Sequence, residues 1–360
     1  MPIFDQGYQH WQGQPNSMLW RWWVISWRGV RTQFQNRWTR MVVYLSITPS
    51  LALLAALIIW GLIENQVAFI KPLLDLFSRG MPPEFRNSPI DFRMMVWTYS
   101  FYFFFTTQMT FALILVALVG PDLISKDLRF NAMPLYFSRP LRRFDYFLGK
   151  LGVIGFYISL VTLIPAVLAY ALGVLFSLDF NILKDTIHLL IGSVAFSLVV
   201  ILSAGMMILA ISSLSRNSRL VMLSWLGFWF ISSSLATIML FIARDVKWAP
   251  SVGYTSNLTR VCDALLHLEP AYQQFNRLKE QVLDLQKKAE MQSPAMGMLS
   301  RNSARRNRDG IYVESRVDHD DSPSIRMPQP WYVAGGVLLG LFGLSLWILT
   351  TRVKSLDRLK

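Results

Sequence analysis

A chain of 360 residues in which 53% are apolar and only 16% charged is too greasy for a water-facing globule, where about a quarter of residues are charged. Its formal net charge of +13 would call for nucleic acid if the basic residues stood apart from the apolar stretches, but they stand beside them, which points to a membrane and no nucleic-acid partner. The single cysteine, Cys262, excludes an internal disulfide and a cysteine-rich metal site.

No apolar run with a small-residue cleavage site occurs in the first 30 residues, so no secretory signal is expected. Ser17 to Trp38 instead predicts an amphipathic helix lying in the membrane interface. Trp20, Trp23, Val24, Trp27, Phe34 and Trp38 share one arc, and Arg21, Arg28 and Arg37 flank it within reach of headgroups. The interface residues are therefore Trp20, Trp23, Trp27, Arg21 and Arg28. Trp22 and Ile25 fall off the arc and are candidates to pack on the spans; a plain start of the first span is the other reading.

Six segments reach the roughly 20 apolar residues that a helix needs to cross a bilayer. They are Met41 to Ile63, Met95 to Val119, Leu151 to Leu178, Ile187 to Leu214, Leu220 to Ala243 and Trp331 to Thr351, and none contains Asp, Glu, Lys or Arg. The predicted fold is all-α, a polytopic membrane protein with six transmembrane helices. Tyr44, Trp60, Trp97, Trp331, Tyr332 and Trp347 stand where interfacial anchors would. Pro49 and Pro165 fall inside two spans and predict kinks.

Orientation follows from the basic residues of the connections. With the amino terminus placed in the cytoplasm, the inside segments hold seventeen basic residues and the two short outside loops, Glu64 to Met94 and Asp179 to Thr186, hold five. Both termini are then cytoplasmic. The inner face is strongly basic and attracts anionic lipid. The resulting plan is a cytoplasmic 1–40 with the interfacial helix, five spans over 41–243, a long extracytoplasmic connection over 244–330, and a sixth span with a basic tail over 331–360. Within the long connection, Phe275, Leu278, Val282, Leu285 and Ala289 are spaced as a short heptad seam that predicts a helix over about 271–291. That seam pairs with a twin or packs on the outer face; the polar stretches beyond it predict poor order. Asn257-Leu258-Thr259 matches a glycosylation acceptor.

The cytoplasmic stretch "PDLISKDLRFNAMPLYFSRPLRRFDYFLGK", Pro121 to Lys150, separates two uncharged segments. Pro121 ends or breaks the second span, and Leu123, Ile124 and Leu128 predict a short charged helix. Pro134 interrupts it, and Pro140 stands at a first-turn position of a helix that runs into the third span. Leu135, Tyr136 and Phe137 with a rim of Lys126, Asp127, Arg129 and Arg139 form either a docking patch or an internal packing surface.

This stretch resembles the loop between the second and third spans of type-2 ATP-binding-cassette (ABC) exporter permeases. The similarity rests on Ile124, Ser125 and Asp127; on Ser138, Arg139, Pro140, Leu141 and Arg143; and on Asp145, Tyr146, Gly149 and Lys150. The resemblance implies a permease subunit of an ATP-driven transporter in a multi-pass cell membrane, inner or plasma, of bacterial type. It also implies a homodimer or a heterodimer with a related permease, and a separate ABC ATPase. The coupling residues implied are Lys126, Asp127, Arg129, Asn131, Leu135, Tyr136, Phe137, Ser138, Arg139 and Pro140. Two features depart from the family pattern. Asn131-Ala132-Met133 replaces the usual small turn, and the last outer loop, about 87 residues, exceeds the short re-entrant elements expected there.

No GxxxxGK[ST] phosphate loop occurs in the chain, so no cofactor is expected in it and ATP-Mg is assigned to the partner ATPase. The four histidines, His10, His188, His267 and His319, show no HExxH or other ligand spacing. Apart from His188 no ionisable residue falls inside a span, which argues against a proton- or sodium-driven carrier. Ser212, Ser213, Ser232, Ser233 and Ser234 serve close helix packing or a polar path. An alternative to the permease is a non-transporting membrane scaffold or assembly protein.

Overall fold

The structure, a computed structural model, describes residues 21–65, 67, 88–132, 143–177, 181–242, 248–292 and 330–357. Among them every regular element is helical. Helices α1 (Arg21–Phe34), α2 (Arg37–Leu45) and α3 (Ile47–Glu64) precede α4 (Arg93–Val119), which is entered through a 3-10 turn at Pro89–Phe92 and leads into α5 (Pro121–Arg129). There follow α6 (Arg143–Val161), α7 (Leu163–Ser177), α8 (Asn181–Val200), a π-helical turn at Ile201–Gly205, α9 (Met206–Leu214) and α10 (Ser218–Ile242). A 3-10 turn at Ala249–Val252 then leads to α11 (Tyr254–Leu265), α12 (Leu268–Gln292) and α13 (Trp331–Asp357). Six runs are long and apolar enough to cross a membrane: Arg37–Glu64, Pro89–Arg129, Phe144–Ser177, Ile182–Leu214, Ser218–Met239 and Trp331–Arg352.

Helix α4 forms the centre of the bundle. Phe101, Phe104 and Phe105 are buried along it, and the Phe105 ring meets Phe196 of α8 edge-on at 5.2 Å. The outer helices α10 and α13 instead expose large apolar side chains, among them Phe230, Ile231 and Leu339. Such a surface is unstable in water and suits lipid. Tyr44, Trp331, Tyr332 and Trp347 share that exposed surface, but Trp60 and Trp97 do not. They are core residues and not interfacial anchors. Trp97 packs edge-on against Tyr170 at 5.8 Å, because the chain is helical from Pro89 onward and places position 97 well inside the span.

Both predicted kinks are present. The first run breaks at Ser46, between α2 and α3, and the third at Thr162, between α6 and α7. Each break lies three residues before its proline, whose missing N–H leaves the carbonyl four residues back without its helical donor. The buried Gln108 of α4 fills in at the second of these, where its amide nitrogen donates to the Val161 carbonyl, and the same nitrogen donates to the Ser46 carbonyl beside the first. Pro121 breaks the second run, at Gly120 between α4 and α5, but does not end it. The preceding Gly120 is itself helical (φ −61°, ψ −43°), since it has no Cβ to clash with the proline ring, and the helix continues to Arg129.

The long connection folds earlier than its sequence suggests. After α10 the 3-10 turn docks back on the same helix, with Ser233 and Thr255 hydroxyls 2.8 Å apart and the Tyr254 ring against Trp225 and Phe228 at 6.0 and 5.7 Å. The Tyr254 hydroxyl lies 3.0 Å from Ser203, in the π-helical turn about two thirds of the way along the fourth span. From there α11 runs back beside α8, and at its far end a Cβ on Gly192 would approach the Leu265 carbonyl oxygen to 2.5 Å. Helix α11 is thus a re-entrant element that begins deep in the bundle. Asn257 holds its entry turn by donating to the carbonyls of Ser251 and Gly253 at 2.7 and 2.8 Å. It is buried, which removes it as a glycan acceptor. Further on, α12 covers the expected helical segment. Leu278 is buried and Phe275 meets Tyr99 of α4 at 5.4 Å, so the first part of the seam packs within the chain, while Leu285 is exposed.

Candidate functional site

The end of the bundle that bears α5, residues 215–217 and the end of α13 is also the basic end. Here three matched positions converge. Asp127 of α5 accepts from the Tyr146 hydroxyl at 2.7 Å and pairs with Lys150 at 2.7 Å, both on α6. The Lys150 ammonium also lies 5.3 Å from the centre of the Tyr146 ring. Tyr146 and Lys150 are four residues apart, so they stand one above the other on a single helix face. The side chains of Asp127 and Lys150 are only 15% and 11% exposed, where a charge without its partner is costly. Tyr146 and Lys150 of the Asp-Tyr-x-x-Gly-Lys signature therefore form, with Asp127, a clasp that ties the end of the second span to the start of the third.

Helix α5 is anchored on its other side by Ser212. The Ser212 hydroxyl donates to the Pro121 carbonyl at 2.9 Å and accepts from the Ser125 amide at 3.0 Å, while the Ser125 hydroxyl donates to the Ser212 carbonyl at 3.1 Å. A side chain inserted into the i to i−4 ladder in this way bends a helix and fixes its direction. Leu123 and Ile124 are buried beneath it. The helix stops at Asn131, whose φ of 50° is left-handed. Ala132 then donates to the Asp127 carbonyl at 2.8 Å and Asn131 to that of Leu128 at 3.4 Å, the hydrogen bonds of a Schellman stop. Asparagine tolerates that conformation nearly as well as the expected small residue. Lys126 pairs with Asp122 at 2.8 Å, and Arg129 is exposed. Leu135, Tyr136, Phe137, Ser138, Arg139 and Pro140 lie outside the described residues.

Gly149, which precedes Lys150 in the signature, receives α1. The Ser26 hydroxyl donates to the Gly149 carbonyl at 2.9 Å, and a Cβ on Gly149 would come within 2.8 Å of Ile25. Tyr157 extends the seam by donating to the Val30 carbonyl at 2.9 Å. Trp22 and Ile25 accordingly face α6, while Trp23 and Trp27 stack at 6.3 Å on the opposite, exposed side with Arg28. Trp20 lies outside the described residues.

The other end of the bundle holds an ion pair that the sequence pattern does not predict, between Glu64, closing α3, and Arg93, opening α4, with both side chains under a tenth exposed. Spans drawn by apolarity stop short of these residues, so nothing in the pattern flags them as partners. His188 and His267 meet edge-on at 5.3 Å; no cluster of metal-ligating side chains occurs among the described residues.

No curated protein matches the chain. A family model described as ABC-2 family transporter protein matches residues 23–352, which takes in α1, the clasp and the re-entrant helix, and the chain belongs to that family.

Proposed function

We propose that the protein is the permease subunit of an ATP-driven exporter, driven by a separate ATPase that docks on the stretch between α5 and α6. The observation behind this reading is the double anchorage of α5, by Ser212 on one side and by Tyr146 and Lys150 on the other. A push on residues 133–142 would be delivered to α4 and α6 at once, because both flanking helices continue into spans. In this reading both termini are cytoplasmic, the exposed arc of α1 lies among headgroups, and two permeases, alike or related, pair with two ATPases in a bacterial inner membrane. The basic face contacts anionic lipid, and ATP-Mg is held by the partner. Movement between inward- and outward-open states follows from differential binding of the ATPase to the two states.

The test is the triple replacement of Asp127, Arg129 and Arg139 by Ala in the full complex. Loss of stimulated ATPase activity with the six spans intact by protease mapping supports coupling. Unchanged stimulation favours the scaffold reading and overturns this one.

A further inference from the structure

A cavity of about 670 Å³ opens at the basic end, between α5 and the turn that joins α9 to α10. Four of its lining side chains are cationic, Lys126, Arg129, Arg216 and Arg219, against one carboxylate, Asp122, which is already paired with Lys126. Arg129 rests on the Phe130 ring at 5.7 Å, and neither Arg216 nor Arg219 has a carboxylate partner among the described residues. With Lys126 offset by Asp122, the arginines leave a net excess of positive charge around this space that an anion would relieve. The Asn217 side chain accepts from the Arg219 amide at 3.1 Å, so the positive end of the 25-residue α10 points the same way.

Depth narrows the choice of anion. The fourth span ends at Leu214 and the fifth begins at Ser218, which puts Arg216 and Arg219 within one turn of the apolar boundary, at headgroup level. Leu214, Leu220 and Leu223 beside them are 49%, 55% and 60% exposed and offer an apolar track leading away from the charges.

We propose that this cavity binds the phosphate-bearing headgroup of an acidic membrane phospholipid, with its acyl chains along the exposed leucines of α10. The guanidinium groups of Arg216 and Arg219 suit phosphate because their planar donor forks match two of its oxygens. A soluble phosphate ester satisfies the same charges but gains nothing from the apolar track. The bound lipid would brace α5 from the side away from the Asp127 clasp. The inference rests on the six spans and not on ATPase coupling.

The test uses the full-length permease without any ATPase, titrated with short-chain phosphatidylglycerol, phosphatidylcholine or inorganic phosphate, with melting temperature and lipid retention in native mass spectrometry as readouts. Phosphatidylglycerol should bind saturably and the other two should not. Arg216→Gln and Arg219→Gln should each weaken it about fivefold, whereas Arg277→Gln, an exposed arginine on α12, should not. Equal weakening by Arg277→Gln would mean a diffuse field and overturn the site. Equal stabilisation by inorganic phosphate would mean a soluble anion, and arginine variants that lose a co-expressed ATPase but keep the lipid would mean an acidic protein surface; either overturns the proposal. A negative result on the isolated permease leaves the coupling reading to be judged by its own test.

Discussion

The side-chain amide of Gln108 donates to the carbonyl of Val161, the acceptor that Pro165 deprives of its helical donor. The same nitrogen reaches the Ser46 carbonyl at 3.0 Å, beside the kink at Pro49. One buried polar residue on the central helix thus serves two bent neighbours. Gln108→Leu keeps the volume but strands the Val161 carbonyl, while that of Ser46 keeps the Ser50 hydroxyl at 3.0 Å as a donor, at an expected cost of about 1–3 kcal/mol. Pro165→Ala restores a backbone donor to Val161, so in the double variant the loss from Gln108→Leu should shrink. Thermal melts of the four proteins in detergent form the cycle; strict additivity would show that the bond contributes nothing.

The Asp127 clasp predicts an order of effects. Tyr146→Phe removes one hydrogen bond and leaves the ion pair, for about 1 kcal/mol. Lys150→Met leaves Asp127 mostly buried without its cation, and should cost about 3 kcal/mol. In the proposed ATPase complex, Lys150→Met should also lower stimulated turnover more than Tyr146→Phe does. Equal losses of stability in the two variants would mean that Lys150 is effectively solvated and that the clasp is held by the tyrosine alone.

Asn131 ends α5 with φ at 50°. Glycine adopts that conformation freely, while a β-branched side chain is strained there by about 1–2 kcal/mol. Asn131→Gly should therefore preserve stability and Asn131→Val should lower it. Hydrogen exchange of the α5 amides is the sharper measurement, since the strain falls on the stop of that helix. Equal protection in both variants would separate the chain reversal from the stability of α5.

The six spans were legible because apolar length and charge exclusion are properties of sequence alone. Trp60 and Trp97 misled for a related reason: an aromatic near the end of an apolar run is an anchor only if the helix ends there, and the fourth helix begins before its apolar stretch does. Trp22 and Ile25, set off the exposed arc of α1, did announce a second packing face, which meets Gly149. The re-entrant α11 stayed hidden because it is shorter than a span and polar enough to read as loop. Its depth comes from Tyr254 packing on Trp225 and Phe228, a tertiary fact. Gln108 likewise gave no signal, because a lone amide in an apolar run reveals nothing of the carbonyls it will meet.

At the far end of α11, burial raises the Asp263 carboxyl to about 6, against the opposing pull of Arg260, whose guanidinium lies 3.5 Å away. Tyr102 and the buried Cys262 are the other ionisable neighbours. The folded carboxyl thus holds its proton more tightly than the unfolded one, which titrates near 4. Below about pH 4 both states are protonated and the group contributes its full stability. As pH rises through about 6 the folded protein must take on a buried charge, and that contribution, of order 2 kcal/mol, is lost. The useful readout is the difference between the wild type and Asp263→Asn, in which the titration of the other groups cancels. Melting curves at pH 4.5, 6.0 and 7.5 should show the variant gaining on the wild type with each step. A difference that stays constant across that range would mean that Asp263 is already paired or hydrated in the folded protein.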